Sequence, residues 1–383
     1  MDELTGPQRL TRRNLIQSGA VAAGGLAAAC APAAPPPSAT SASTAGRGEP
    51  WQGEWDALVA AAKKEGSITI HAPLGTGYRD ASDAFAKAFP GVEPELQQFP
   101  DSNAFIPKIT GERTAGIYTF DVGSITVIPM LQVFKPQGII DPLKPLIFRP
   151  DALQDDAWYG GFESRWADLT KSHIFRHQTQ VNRTIYVNTD LVKEDEIKSL
   201  DNLLEPKWKG KIVTSDVTQG FVYTPSVLIR ENKGEAFLKK LFIDQEPQIV
   251  RDRRQSIETL IRGKAAIGFG LHPVVMKDVL AEGNFKNVKY IDIPGGGTQA
   301  GDVTVIYNRA PHPNAAKLFV NWVLTKEGST AWANGVKENS ARKDVPIVNP
   351  DSAPGKVTYE NPTQEEWIPK IAETQEFLKK LTL

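Results

Sequence analysis

The stretch from Gly66 to Gly91, GSITIHAPLGTGYRDASDAFAKAFPG, limits the choice of fold more than any other part of the chain. Ile68 and Ile70 alternate with Ser67 and Thr69, the pattern of a short strand. Pro73, Gly75 and Gly77 break that pattern. Ala81, Ala84, Phe85, Ala88 and Phe89 then follow the i, i+3, i+4, i+7, i+8 spacing of an amphipathic helix. In an open α/β sheet a loop of this kind lies at the carboxyl edge of a strand, with the N–H groups of Gly75, Thr76 and Gly77 gathered at a helix entrance. It is either a plain strand-to-helix connection or a grip for a ligand, above all an anionic one.

The alternation continues on both sides. Trp55, Leu58, Val59 and Ala62 stripe a first helix, closed by Gly66. Val92–Phe99 reads as a strand, Ser102–Gly116 as a helix with Pro107 in an early turn, Phe120–Ser124 as a third strand and Ile125–Phe134 as a third helix. Strand, helix, strand, helix, strand, helix implies parallel strands with helices on both faces. At 383 residues and 40% hydrophobic, the chain can bury a large core, and its length suggests two lobes.

The N-terminus carries Thr11-Arg12-Arg13-Asn14-Leu15-Ile16-Gln17, then a small, uncharged, mildly apolar run that stops at Cys30, the only cysteine. This resembles a twin-arginine export signal over 1–29 ending in a lipoprotein cleavage site. One departure stands out: the lipobox usually has leucine three residues before the cysteine, where Ala27 sits here, with Leu26 one place earlier. The alternative is soluble release after an Ala-x-Ala site. The run is too short to span a bilayer. Residues 30–50, rich in Pro, Ala, Ser and Thr, read as a tether. Removing the signal takes away Arg9, Arg12, Arg13, Asp2 and Glu3, which moves the formal charge from −1 to −2. That balance argues against a nucleic-acid partner. The lone cysteine excludes an internal disulfide.

Five segments then carry a family resemblance: AFPGVEPELQQF, ITGERTAGIYTFDVGS, LLEPKWKGKIVTSD, LIRGKAAIG and APHPNAAKLFVNWVLTKEGSTAWA, in this order. From about Gly66 to about Val345 the chain is similar to the extracellular (periplasmic) solute-binding proteins of ABC importers, nearest to their ferric-iron-binding subset. The resemblance implies an α/β fold of type II with two lobes, each a mainly parallel sheet flanked by helices, hinged by crossing strands around a ligand cleft. It implies a first lobe of 51–180 and 293–340 and a second of 181–292 and 341–383. The crossing strands are expected near Gln178–Asn188 and Val288–Pro294. Ala316, Phe319, Val320, Val323 and Leu324 stripe a later helix that yields to the next near Gly328. Thr363–Leu383 reads as a last helix with Trp367, Ile371, Thr374 and Leu378 on one face, placed on the second lobe.

Cleft candidates in such an architecture are small polar residues at strand ends and helix entrances. Thr76 and Gly77 come first. Ser124 and Thr126 follow the third strand, where a hydroxyl can bind ligand or cap the next helix. On the second lobe, Thr218-Gln219-Gly220 leads into a helix containing Tyr223, and Gly270-Leu271-His272 enters another. Arg183, and Arg253 or Arg254, supply guanidiniums able to take a carboxylate or phosphate with two parallel hydrogen bonds, or else ordinary salt bridges.

Iron in the ferric subset is held by adjacent tyrosines just after the strand equivalent to Ala265–Gly270. Here that place reads Leu271-His272-Pro273-Val274, and no two of the eight tyrosines are adjacent. The usual iron mode is therefore not expected, and no cofactor is. His71, His272 and Tyr223 leave room for another metal. His173 and His177, four apart, read as a solvated face, and Glu112 matches a motif position that could equally be structural. No Gly-x-Ser-x-Gly, Ser-x-x-Lys, His-Glu-x-x-His or phosphate-loop motif is present, and Gly295-Gly296-Gly297 reads as the turn that returns the chain to lobe one. The expected function is an exported, lipid-tethered monomer that delivers a small polar, anionic solute to an ABC permease. The alternatives are a metal-ion carrier with non-standard ligands and a secreted enzyme.

Overall fold

The computed structural model describes residues 49–100, 102–354 and 357–382. The export signal expected over 1–29, Cys30 and the tether as far as residue 48 lie outside the described residues.

In chain order the elements are α1 (Pro50–Glu65), β1 (Ser67–Pro73), α2 (Thr76–Ala88), β2 (Glu93–Phe99), α3 (Ser102–Thr114), β3 (Val122–Ile125), α4 (Val127–Pro129, continued by a wider turn to Phe134), β4 (Ile140–Asp141), β5 (Phe175–Arg176) and β6 (Gln180–Arg183). There follow β7 (Ile185–Asn188), β8 (Ile212–Ser215), α5 (Gly220–Lys233), α6 (Glu235–Lys239), β9 (Gln248–Val250), α7 (Arg253–Ile261), β10 (Ile267–Phe269), α8 (Pro273–Gly283) and β11 (Val288–Tyr290). The chain ends with β12 (Gly297–Ala300), β13 (Val303–Tyr307), α9 (Pro313–Val323), α10 (Lys326–Val336) and α11 (Ile368–Thr382). Proline at the first position opens α1, and Gly66 closes it at a positive φ of 76°.

Two sheets form, joined by a separate two-stranded pair. The first runs β2-β1-β3-β13-β4, with β5 also on β13, and the second runs β11-β7-β10-β8-β9. Their layers follow from alternation along each strand. Ile68 and Ile70 of β1 face a core with Phe85, Phe319, Trp322 and Trp332, while Ile125 and Val305 face Phe105, Met130 and Phe134 on the other side. In the second sheet Ile185, Val187 and Ile212 pack with Val222, Phe269 and Leu378, and Tyr186 and Val213 pack with Ile257, Leu260 and Val279.

The sheets are mixed rather than mainly parallel. β1, β2 and β3 are parallel, as are β8, β9 and β10, but β13 is antiparallel to β3 and β7 is antiparallel to β10. Each reversed strand is the one by which the chain arrives from the other sheet, so it enters from the opposite end.

The crossing pair also differs from expectation. β6 pairs with β12, whereas Val288–Tyr290 becomes an edge strand on β7. The glycines explain the shift. A Cβ on Gly297 would stand 2.9 Å from the Asn182 carbonyl oxygen and 3.0 Å from the Tyr359 ring, and one on Gly301 would stand 2.3 Å from the Gln178 carbonyl oxygen. Gly297 is thus part of the crossing itself, not only a turn before it. After α10 the chain stays with the first sheet beyond residue 340: Ala341 lies in its core, and Arg342 donates to the carbonyls of Asp151 and Leu324 at 2.8 and 2.9 Å. α11 packs on α5, with Ile371, Thr374 and Leu378 buried.

Candidate cleft between two sheet edges

Register decides which ends of the sheets meet. Ile125, the last residue of β3, pairs with Val303, the first of β13, and Val303 pairs with Arg176, the last of β5. The crossing strands β6 and β12 therefore leave from the carboxyl edge of β3. In the second sheet Phe269, the last residue of β10, pairs with Ile185, the first of β7, directly after β6. The crossing strands thus arrive at the carboxyl edge of β10. Both edges face the hinge, and with them the entrances of α2, α3 and α4 on one side and of α5, α7 and α8 on the other.

On the first edge, Thr76 is exposed and opens α2, which has no side-chain cap. Gly77 has a packing reason: a Cβ there would meet the Gly335 carbonyl oxygen at 2.7 Å, because α2 and α10 cross closely. Thr126 is exposed at the entrance of α4, and its hydroxyl does not cap that helix. Ser124 lies elsewhere than expected. It is inside β3, fully buried, with Oγ 3.3 Å from His177 Nε2. Gln98 braces the loop after β1 by donating to the carbonyls of Pro73 and Gly75 at 2.7 and 2.8 Å.

A polar group that periodicity does not reveal lies beside it. The Tyr78 hydroxyl, in the first turn of α2, donates to Asp302 Oδ2 at 2.6 Å, just before β13. Burial pushes the Asp302 carboxyl up to about 6, against the pull of the Tyr78 bond and with help from Glu338. Burial likewise raises Glu338, and the charge of Lys277 in α8 acts against it.

On the second edge, Gln219 caps nothing but links two entrances. Its Nε2 donates to the Arg251 carbonyl at 3.2 Å, and its Oε1 accepts from Arg253 Nε at 3.2 Å. Arg253 is the first residue of α7, whose N-cap Asp252 accepts from Gln255 N at 2.7 Å. The Asp-x-x-Gln spacing is the sequence signal for that start. His272 opens α8, its Nδ1 accepting from Val275 N at 3.4 Å, and its ring lies 4.5 Å from that of Phe221. Burial first and the Arg253 charge second hold the imidazole down at about 4, so it is neutral at pH 7. Tyr223 is half-buried and its phenol is raised by burial.

Arg183 and Arg254 are committed elsewhere. Arg183 Nε donates to Asp292 Oδ1 at 2.9 Å, another nitrogen donates to the Asp351 carbonyl, and the guanidinium stacks 4.2 Å from the Tyr290 ring centre. Tyr359 donates to the same Asp292 at 2.7 Å. Arg183 is thus a clamp for the end of β6. Arg183→Met is expected to lower stability by roughly 2–3 kcal/mol by stranding Asp292, with any solute-induced rise in melting temperature retained. Loss of that rise without loss of stability would return Arg183 to the site. Arg254 is shared between Glu258 at 3.1 Å and Glu282 at 2.7 Å.

The candidate metal residues do not converge. His71 is buried among the rings of Phe99, Phe105 and Phe120, with Nδ1 2.5 Å from the Tyr307 hydroxyl in the first sheet's core, while His272 belongs to the second sheet. His173 and His177 are not on one helical face: His173 lies by Asp168, and His177 is buried between Ser124 and Thr304. Glu112 pairs with Lys108 within α3. Among the described residues no group of three or more His, Cys, Asp or Glu could hold a metal ion.

Residues 80–363 match the family of bacterial extracellular solute-binding proteins. The chain belongs to that family. No curated protein matches this binding protein, but solved structures share its fold. Iron-bound HitA from Pseudomonas aeruginosa is similar over 83% of this chain and 99% of its own, at 15% identity and a TM-score of 0.65. IdiA (FutA) from Trichodesmium, solved with iron and citrate, covers 82% of this chain and 99% of its own at 16% identity and 0.62. PotD, a spermidine/putrescine transporter substrate-binding protein from Streptococcus pneumoniae, covers 83% and 99% at 16% identity and 0.59. At these identities the likeness is one of fold: a periplasmic binding protein with α/β lobes.

Proposed function

We propose that this exported protein captures a small anionic solute between the two sheet edges and delivers it to an ABC permease, with Cys30 as a lipid anchor. The observation that carries the anionic reading is the second edge. Three helix entrances meet there beside Arg253, whose terminal nitrogens have no partner among the described residues and whose Nε is aimed by Gln219. Each entrance favours an anion by roughly 0.3–1 kcal/mol, so the guanidinium supplies the stronger contact. A neutral His272, its Nδ1 accepting from Val275 N, leaves Nε2–H as a donor without adding charge. Thr76, Thr126, Gln219, Tyr223 and His272 stay as lining residues in this reading, and binding shifts the open–closed balance of the lobes.

The test is a melting screen with phosphonates, phosphorylated sugars and small carboxylates, run beside spermidine and ferric citrate. One anion is expected to raise the melting temperature by about 5–10 °C at a roughly hundredfold excess over Kd. Arg253→Ala is expected to remove most of that rise and to leave the ligand-free melting temperature unchanged. A rise with the polyamine or with iron and none with anions would overturn the anionic assignment.

A further inference from the structure

Just before the crossing strands, Trp166 bridges Phe175 in antiparallel fashion, and Ala167 N donates to the Ile174 carbonyl at 2.9 Å. That register sets Arg165 opposite Arg176. Residues directly opposite on such a ladder share a face, with Cβ atoms about 4.5–5.5 Å apart. Both arginines are buried, Arg165 to 5% exposure and Arg176 to 0%. Arg176 Nη2 donates to the carbonyl and the hydroxyl of Thr363, each at 2.9 Å. Arg176 Nε, Arg165 Nε and Arg165 Nη1 are buried without a partner among the described residues.

Nearby acids do not neutralise the pair. Glu365 is held by Lys135 at 2.7 Å, and Glu366 acts on Arg176 only through space. Two like charges facing each other out of water, with three donor nitrogens unsatisfied, is an arrangement that a protein rarely leaves uncompensated. Burial and the Arg165 charge pull the Arg176 guanidinium down to about 9, and burial pulls Arg165 to about 10.

We propose that a small monovalent anion, with chloride as the probe, binds between Arg165 and Arg176 and accepts from their unpaired N–H groups. A monatomic anion accepts from any direction, which suits donors that come from two segments, the turn ending at Arg165 and the strand ending at Arg176, without a shared fork. It would join three parts of the chain: the strand leading to β6, the turn before it, and the Thr363 segment leading to α11. Neither arginine is among the residues assigned to the solute, so failure of this site leaves the solute reading standing, and the reverse holds too.

The experiment compares melting in chloride with melting in gluconate, a far bulkier anion, at equal ionic strength. The wild type is expected to melt about 2–4 °C higher in chloride, and Arg165→Met is expected to melt alike in both salts. Equal melting of the wild type in both salts, or an unchanged chloride response in the variant, overturns the proposal. If Arg165→Met does not fold, bromide-soaked crystals of the wild type decide the matter. An anomalous peak within hydrogen-bonding reach of Arg165 Nη1 supports the site, and its absence rejects it.

Discussion

Two core histidines that stay neutral in the folded state are expected to make unfolding of this protein in urea easier by about 4 kcal/mol between pH 7 and pH 5, and the neutral His272 adds to that fall in the same direction. His71 and His177 are exposed by only 0% and 3%, and burial holds each at about 3, against the ordinary 6.5. The sign follows from proton counting. Between about 6.5 and about 3 the unfolded chain takes up a proton at each site that the folded chain refuses, so stability is lost as pH falls through that window and is constant above it. Each site contributes about 2 kcal/mol at pH 5. His177→Gln removes one titration while keeping a polar side chain for Ser124 and Thr304, and it should take about 2 kcal/mol out of the fall. The same slope in wild type and variant would show that His177 is not held neutral. Asp302, raised to about 6, acts in the opposite sense: it binds a proton more readily folded than unfolded, and its contribution declines as pH rises from about 4 to about 6.

These two histidines also show what a single sequence conveys and what it hides. A spacing of four between His173 and His177 suggests a helix face. The chain there is a turn followed by β5, and no local pattern announces that Thr304, over a hundred residues away, will bond His177 at 2.9 Å. Local periodicity carried the elements well: the stripe of Ala81, Ala84 and Phe85 became α2, that of Ala316, Phe319 and Val320 became α9, and that of Ile371, Thr374 and Leu378 became the buried face of α11. It failed where a residue's role is set by a distant partner. Arg183 looked available because its acceptor, Asp292, arrives 109 positions later in the chain. Ser124 looked available at the end of a strand read as Phe120–Ser124, but β3 runs one residue further, to Ile125, and β13 pairs across it. Val288–Tyr290 looked like a crossing strand because its pattern suits any strand, and only its pairing with β7 makes it an edge. At the cleft, the helix entrances were legible from glycines and small polar residues after each strand. The Tyr78–Asp302 bond and the link between Gln219 and Arg253 were not, since each joins segments whose neighbourhood is created by the fold.

Gly301→Ala is expected to cost roughly 3 kcal/mol or more, the largest effect of any single methyl group added at the hinge. Its φ of 141° is already unusual for a residue with a side chain, and the new Cβ would lie 2.3 Å from the Gln178 carbonyl oxygen and 2.7 Å from its carbonyl carbon. Neither segment can step aside freely. Gln178 is bridged to Ser340, Thr179 N donates to the Asn339 carbonyl at 2.9 Å, and on the far side Tyr78 holds Asp302 at 2.6 Å. The strain must therefore open the start of the β6–β12 pair, the one ladder by which the two sheets are joined among the described residues. Gly53→Ala serves as the contrast, because a Cβ there meets nothing within 4 Å in α1 and helical alanine gains up to about 1 kcal/mol over glycine. Chemical denaturation of the two variants should move in opposite directions. If Gly301→Ala melts like the wild type, the crossing strands have slack that so close an approach denies, and closure of the cleft would have to turn on some other segment.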